Sequence, residues 1–312
     1  MKNSICKTPV LFTIFNRPDV TRQVFTEIKK ARPTQLFIAA DGPRKDREND
    51  IRLCAETRSI TNDIDWECEV HLLFRDENLG CMRGMVSALD WFFEHVEEGI
   101  ILEDDCVPSP DFFIYCTILL ERYRNDIDIF LIGGTNLYRD KPPIETSYFF
   151  THYYPLWGWA GWRRSWKHYD IDMTYFDRDN VNKIIWNLYH NKKISKLYND
   201  IWDLYSIHNL DSWDMQLVYQ FMIREGKSIM PQLNLVSNIG IVGTHTDKKY
   251  SLQFLPTYTF PRNNIIHPQN SNVDILLDIK MILHIIDLNK LSIWKNTKKQ
   301  LKRALAQCGI KI

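Results

Sequence analysis

The sequence predicts an α/β protein with a mostly parallel central sheet flanked by helices, and three observations carry that expectation. Short apolar runs recur early, starting at Val10, Leu36, Val70, Ile100 and Ile129. Successive starts lie 26, 34, 30 and 29 residues apart, close to the ~30 residues of a βαβ unit. The runs are apolar on both faces and alternate with stretches of helical periodicity, as in strands covered from both sides.

The elements follow in chain order. Val10–Phe15 reads as the first strand, and Asp19–Ala31 as a helix with Val20, Val24, Phe25 and Ile28 on one face. Leu36–Ala40 and Val70–Phe74 read as the next strands. Arg83–His95 is helical through Met85, Val86, Leu89, Phe92 and Phe93, and Ile100–Leu102 is again a strand. Ser109 reads as an N-cap and Pro110 as the first helical residue, with the helix running from Phe112 to Tyr123. Ile129–Ile132 ends the series. From Tyr138 the rhythm breaks into a loop with Lys141-Pro142-Pro143, an aromatic block, and a helical, polar stretch to about Asn209. A turn-rich segment, Pro231 to Pro261, follows, and the tail after Asn272 is helical in character. This divides the chain into a first half, 1–135, a second, 136–262, and a tail, 263–312.

Composition bounds the function. The 312 residues are 45% hydrophobic and 25% charged, enough apolar material for a sizeable core and too much for global disorder. Lys and Arg number 39, as do Asp and Glu, which argues against a nucleic-acid partner bound by phosphate neutralisation. Seven Cys without a C-x-x-C pair read as reduced thiols of a cytoplasmic protein. The first apolar run is too short for a secretion leader, and no stretch reaches the ~18 apolar residues of a membrane span. Between 290 and 303 there are six basic residues (Lys290, Lys295, Lys298, Lys299, Lys302, Arg303) and no acid. With Leu291, Trp294 and Leu301 they read either as a basic amphipathic helix on the inner face of an anionic membrane or as a solvated terminal helix.

In open α/β sheets ligands bind beyond the carboxyl ends of the strands. Those ends read Asn16-Arg17-Pro18, Asp41-Gly42-Pro43, Arg75-Asp76-Glu77-Asn78-Leu79-Gly80, Glu103-Asp104-Asp105 and Gly133-Gly134-Thr135-Asn136. All are polar. Glu103-Asp104-Asp105 is the sharpest: three adjacent acids after a buried strand repel one another, and a divalent cation, Mn²⁺ or Mg²⁺, would relieve that repulsion and bind substrate phosphates. The alternative is that these acids only favour the N-terminal end of the helix beginning near Pro110. Neither G-x-G-x-x-G nor G-x-x-x-x-G-K-[ST] occurs, so dinucleotide and P-loop modes are disfavoured.

The segments TIFNRP, AADGP, RDENLGCMRG and ILEDDC, in this order, resemble the nucleotide-binding half of GT-A-fold glycosyltransferases. They are most like the family-2 and N-acetylglucosaminyltransferase I types, whose acidic metal motif is also Glu-Asp-Asp. WGWAGW, SWDMQL and SNIGIVGTHT resemble the acceptor half, and the resemblance spans roughly residues 8 to 247. It implies a GT-A fold, with a Rossmann-like nucleotide-binding half (1–135), a half for acceptor and catalytic base (136–262) and a C-terminal tail. It also implies a UDP-sugar donor, a saccharide or lipid-linked saccharide acceptor, and inverting transfer in bacterial surface glycan synthesis.

Carried over by position, the resemblance gives Asn16 and Arg17 to the nucleotide pocket and Asp41 to the base, where an N–H donor such as uracil N3–H favours uridine. Asn78 and Arg83 would touch ribose or diphosphate. Asp105 would contact the metal, with Glu103 and Asp104 on ribose or sugar hydroxyls. The metal would neutralise the leaving diphosphate. His245 would be a late metal ligand or a diphosphate contact; the alternative is a surface histidine in a turn.

Two acids compete for general base. The resemblance favours Asp214; the alternative is that Asp211 caps a helix from Met215 to Met222 and Asp214 is a first-turn acid. Trp157, Trp159 and Trp162 fit a sugar-stacking platform, although at least two of these and Trp166 are expected in the core. Two other functions compete: a sugar-nucleotide nucleotidyltransferase, disfavoured because Asn16-Arg17-Pro18-Asp19 is not a Gly-rich basic loop, and a carbohydrate-binding protein without catalysis.

Overall fold

A computed structural model describes residues 5–138, 142, 144–208, 211–240 and 253–287, with only the backbone at 204–208. The strands are β1 (Val10–Ile14), β2 (Gln35–Ala40), β3 (Glu69–Phe74), β4 (Glu98–Glu103), β5 (Cys106–Pro108), β6 (Ile129–Gly133), β7 (Tyr148–Thr151), β8 (Trp159–Trp162), β9 (Lys227–Pro231) and β10 (Val236–Asn238). The helices are α1 (Pro18–Ala31), α2 (Glu48–Ile60), α3 (Cys81–His95), α4 (Pro110–Tyr123), α5 (Arg163–Trp166), α6 (Arg178–Tyr189), α7 (Lys192–His208) and α8 (Asp214–Met222), with α9 over 275–287.

Eight strands form one sheet in the order β3-β2-β1-β4-β8-β6-β9-β7. β1, β2, β3 and β4 run parallel, and β8 is antiparallel to both β4 and β6. β9 is parallel to β6, and β7 is antiparallel to β9. Six strands therefore share one direction and two oppose it, which is the mostly parallel, helix-flanked architecture expected. β7, β8 and β9 all lie beyond residue 136 yet complete the same sheet as β1 to β4, so the division at 135 does not separate two sheets.

Alternation along the strands builds the core on both faces. Val10, Phe12, Ile14, Leu36, Ile38, Ile100 and Leu102 face α1 and α4, packing on Val24, Phe25, Ile28 and Phe112. Leu11, Phe37, Ala39 and Ile101 face α3, α6 and α8, packing on Leu89, Phe92, Ile185 and Leu217. Pro18 at the first turn starts α1 directly after β1, and this places Arg17 at the helix N-terminus.

The structure adds elements that periodicity did not reveal. α2 occupies a stretch whose buried residues, Asp50, Cys54, Thr57 and Ile60, are half polar. Ser109 does precede α4, but its hydroxyl makes no capping bond. Asp111 instead accepts from the Phe260 N–H at 2.9 Å and pairs with Arg262, fixing the chain that returns from β10. No helix among the described residues is long and apolar enough to cross a membrane. The basic run at 290–303 lies outside the described residues.

Candidate functional site

β1 hands over to Asn16 and Arg17, β2 to Asp41, and β4 ends at Glu103, with Asp104 and Asp105 in the turn that follows. These parallel strands end on one side of the sheet, the ligand side of an open α/β fold. The turn leads into β5, which pairs antiparallel with β10 in a small second sheet. That pairing brings Ile239 and Gly240 onto the acidic motif: the Ile239 N–H donates to the Asp105 carbonyl at 2.8 Å. A methyl group at Gly240 would overlap Asp105 Oδ2, so a larger residue there would push the Asp105 carboxylate aside.

Arg17 is the cationic centre of the site. Its Nε donates to Asp104 Oδ2 at 3.2 Å, its Nη2 donates to Asp104 Oδ1, and its Nη1 pairs with Asp105 Oδ2 at 2.9 Å. Asp104 is 4% exposed, and this two-pronged pairing is what compensates a carboxylate buried there. Burial still pushes the Asp104 carboxyl above its ordinary value, against the pull of Arg17. Asp104, expected on a ribose or sugar hydroxyl, is thus committed to holding Arg17.

Glu103 differs from its neighbours. It accepts no hydrogen bond among the described residues. Burial, then the like charges of Asp105 and Asp104, push its carboxyl up to about 8, and Asp214 adds to the push. Three acids, Glu103, Asp104 and Asp105, thus gather about one guanidinium, with Asp214 near enough to Glu103 to add to the push, and the excess negative charge suits a further cation. Among the described residues no three His, Cys, Asp or Glu side chains are arranged to hold a metal by themselves. An ion here would need donors from outside these residues, such as substrate phosphate oxygens, the usual habit of Mg²⁺.

Asp214 opens α8, where the Ser212 hydroxyl donates to its Oδ1. Its charge reaches Glu103, Cys81 and Tyr153. Burial pushes the Tyr153 hydroxyl and the Cys81 thiol up to about 12. Sequence reasoning singled out neither residue: Tyr153 lies in the aromatic block, and Cys81 was passed over among the charged residues of RDENLGCMRG.

Asp211 does something else. Its Oδ2 accepts the Cys81 N–H at 2.8 Å and its Oδ1 accepts the Met82 N–H at 2.7 Å. It therefore caps α3 and not the helix that follows it in sequence. Gly80 allows this: its φ is +84°, and an added Cβ would lie 2.8 Å from Asp211 Oδ2.

The expected nucleotide contacts are partly taken by the protein's own donors. Asp41 Oδ1 accepts from the Gly42 N–H at 3.0 Å and the Leu79 N–H at 3.0 Å, and its Oδ2 accepts from Asn78 Nδ2 at 2.9 Å. The pair clamps the loop before α3. A base contact at Asp41 would have to share a carboxylate that already has three donors. Asn16 Nδ2 donates to Asp50 Oδ1 at 2.8 Å, and Asp50 also pairs with Arg44 at 2.6 Å, so Asn16 braces the start of α2. Arg83 is exposed on the first turns of α3.

The tryptophan platform is corrected in part. Trp159 and Trp162 belong to β8, which is inserted between β4 and β6, and they are 3% and 2% exposed. Trp159 stacks on Trp213 at 6.3 Å, and Arg164 covers Trp162 at 4.3 Å. Trp166 is buried as well, in keeping with the expectation that at least two of the four are core. Only Trp157 remains half-buried. His245 lies outside the described residues.

No known protein family and no curated protein matches the sequence. Solved structures do. UDP-glucose pyrophosphorylase complexed with UDP-glucose aligns over 73% of this chain and 91% of its own, at 9% identity and a TM-score of 0.38. The 4-diphosphocytidyl-2C-methyl-D-erythritol synthase from Anaerococcus prevotii aligns over 55% and 78%, at 8% identity and a TM-score of 0.31. HddC from Yersinia pseudotuberculosis aligns over 41% of this chain and 58% of its own, at 10% identity and a TM-score of 0.28. Likeness at this level says nothing of the chemistry of this chain.

Proposed function

We propose that the chain transfers a sugar from a nucleoside-diphosphate sugar, with UDP-sugars the first donors to test, to a hydroxyl of a saccharide or lipid-linked saccharide. The observation that carries this reading is the meeting of two parts of the chain. The acidic turn after β4 and the N-terminus of α8 are close enough for Asp214 to raise the Glu103 carboxyl.

In this reading the diphosphate lies beside Arg17 and Asp105. A divalent cation held by Asp105 would supply charge neutralisation of the leaving diphosphate there. Asp214 takes the acceptor hydroxyl proton as that oxygen forms its bond to the anomeric carbon. The bond to the diphosphate breaks from the opposite face, and the configuration inverts. Glu103, which has no side-chain hydrogen-bond donor among the described residues, holds a hydroxyl of the transferred sugar. Trp157 lies on the acceptor path.

Calorimetric titration of UDP with and without Mn²⁺, followed by a screen of donor hydrolysis across UDP-, GDP-, CDP- and dTDP-sugars, tests the proposal. Metal-stimulated binding and release of a nucleoside diphosphate support it. Pyrophosphate release from a nucleoside triphosphate and a sugar 1-phosphate would replace it with nucleotidyl transfer. That reaction is disfavoured by the loop after β1, Asn16-Arg17-Pro18-Asp19, which is not a Gly-rich basic loop. Absence of any nucleotide binding would leave the carbohydrate-binding reading.

A further inference from the structure

The two edges of the sheet are treated differently. At the β7 edge all four residues are buried, and the C-terminal segment covers it: Val273 bridges to Phe150, and the Ser147 N–H donates to the Ile266 carbonyl at 2.9 Å. At the other edge, β3 pairs only with β2 among the described residues. Its six-residue register with β2 is unbroken, and its sequence, EVHLLF, has no Pro or Lys to discourage further pairing.

The orientation of β3 follows from its bonds to β2. The Glu69 N–H donates to Thr34, and the Arg75 N–H at the strand's end donates to Ala40, so odd-numbered residues spend their backbone groups inward. In a parallel ladder the even-numbered residues then turn theirs to the open edge. These are Val70, Leu72 and Phe74, residues that are 38%, 56% and 36% exposed. One strand thus offers a free hydrogen-bonding edge and an apolar stripe from the same three residues.

We infer that β3 is a self-pairing edge, through which two copies of this chain join antiparallel about a twofold axis at Leu72. The sequence is complementary to itself in that register. Leu72 faces its own copy, Val70 faces Phe74, and Glu69 faces Arg75, so an acid meets a base at each end. The outward-facing residues fall opposite one another as hydrogen-bonded pairs, each exchanging two backbone bonds. A register shifted by two residues either way loses one of the three apolar pairs and the Glu69–Arg75 match. An interface built on one strand facing itself is isologous, the arrangement of a closed dimer. The inference is independent of the reading of the active site, which lies at the strand ends.

Light scattering coupled to size exclusion, from about 1 to 100 μM, tests it. The full chain is expected to approach dimer mass with concentration, and Leu72→Lys, which sets two like charges on the axis, is expected to stay monomeric with an unchanged far-ultraviolet spectrum. A Leu72→Cys variant in a Cys68→Ser background gives a second readout that does not depend on how Lys is tolerated. Hydrogen-bonded antiparallel partners have Cα atoms about 5.5 Å apart, within disulfide range. Mild oxidation is therefore expected to link two chains through position 72, compared with the Cys68→Ser background alone. A wild-type monomer at every concentration, or a dimer that Leu72→Lys leaves intact and Leu72→Cys does not cross-link, overturns the inference.

Discussion

Asp211 Oδ2 accepts the backbone N–H of Cys81 at 2.8 Å, across 130 residues of sequence. With the matching bond to Met82, the carboxylate closes the exposed start of α3, whose own N-cap, Gly80, has no side chain to do so. A negative charge there also meets the positive end of the helix dipole. The bond ties the loop before α3, which Asp41 and Asn78 clamp from the other side, to the segment that carries Asp214. Asp211→Ala is expected to destabilise the fold by about 1–2 kcal/mol, the usual loss of a cap. Asp211→Asn keeps one acceptor and is expected to be milder, with turnover largely retained. Urea denaturation and turnover of the two variants check this, and a turnover loss in Asp211→Asn as large as in Asp214→Asn would return the base to Asp211.

Trp162 and Trp157 are expected to separate core from site. Truncating an aromatic side chain in a packed core costs about 3–5 kcal/mol, and Trp162, in the middle of the sheet, should show a loss in that range as Trp162→Ala. Trp157 is only partly buried against the core, so Trp157→Ala should be milder in stability and instead raise the KM for the acceptor. A Trp162→Ala variant that melts normally but loses acceptor affinity would reverse the assignment.

The fold was legible where periodicity and burial agreed. Leu36–Ala40 and Ile100–Leu102 are strands buried on both faces, and their uninterrupted apolar runs say so. α2 was not legible, because its inner face is half polar: Asp50 is buried as the partner of Arg44 and Asn16, a pairing visible only in three dimensions. The aromatic block at 157–162 read as a surface for sugars because rings serve cores and platforms equally well, and only the insertion of β8 between β4 and β6 decides it. The acidic motif was legible as charge. That Arg17 takes up Asp104 while Glu103 has no donor among the described residues was not, since adjacent acids differ only in where the turn points them.

Arg17→Ala is expected to leave Asp104 buried without its partner. Removing one member of a buried pair costs about 3–5 kcal/mol, and because the Arg17 side chain is 27% exposed the loss should fall at or below the lower end. Arg17→Lys restores the charge but not the two-pronged geometry, so it should recover only part of the stability. Thermal melting of the three proteins measures this, and equal melting temperatures would mean that the pairing contributes nothing to the fold.

Asp278 is expected to make stability depend on pH. It lies fully buried on α9, accepting from the Thr151 hydroxyl at 2.6 Å and the His152 N–H at 2.8 Å, and burial pushes its carboxyl up to about 7. With the folded value above the ordinary 3.8, the folded state binds more protons than the unfolded state between those two limits. The stabilisation is complete below about 4 and is lost as pH rises through about 7. Asp278→Asn should lower stability at pH 5 through the altered hydrogen bonds, while flattening the decline between pH 5 and 8. Denaturation midpoints at both pH values, for both proteins, give the slopes; parallel slopes would show that Asp278 does not titrate in this range.

Asp214→Asn tests the chemistry most directly. A general base acts on the acceptor proton in the transition state and adds little to donor binding, so turnover is expected to fall by roughly 10²–10⁴-fold, the usual contribution of acid–base catalysis. Nucleotide affinity should change little, because Arg17 follows β1 and Asp105 lies in the turn after β4, and neither is on α8. The substitution should also carry a second signature. Asp214 is one of the charges that raise the Glu103 carboxyl, and removing it should move the Glu103 titration to lower pH, seen as an acid-side shift in the pH profile of the residual donor hydrolysis. Burial and the two neighbouring acids remain, so the shift should be partial. A fall in turnover with no displacement of that profile would mean that Asp214 and Glu103 do not share one site. Unchanged turnover would remove the inverting mechanism built on Asp214.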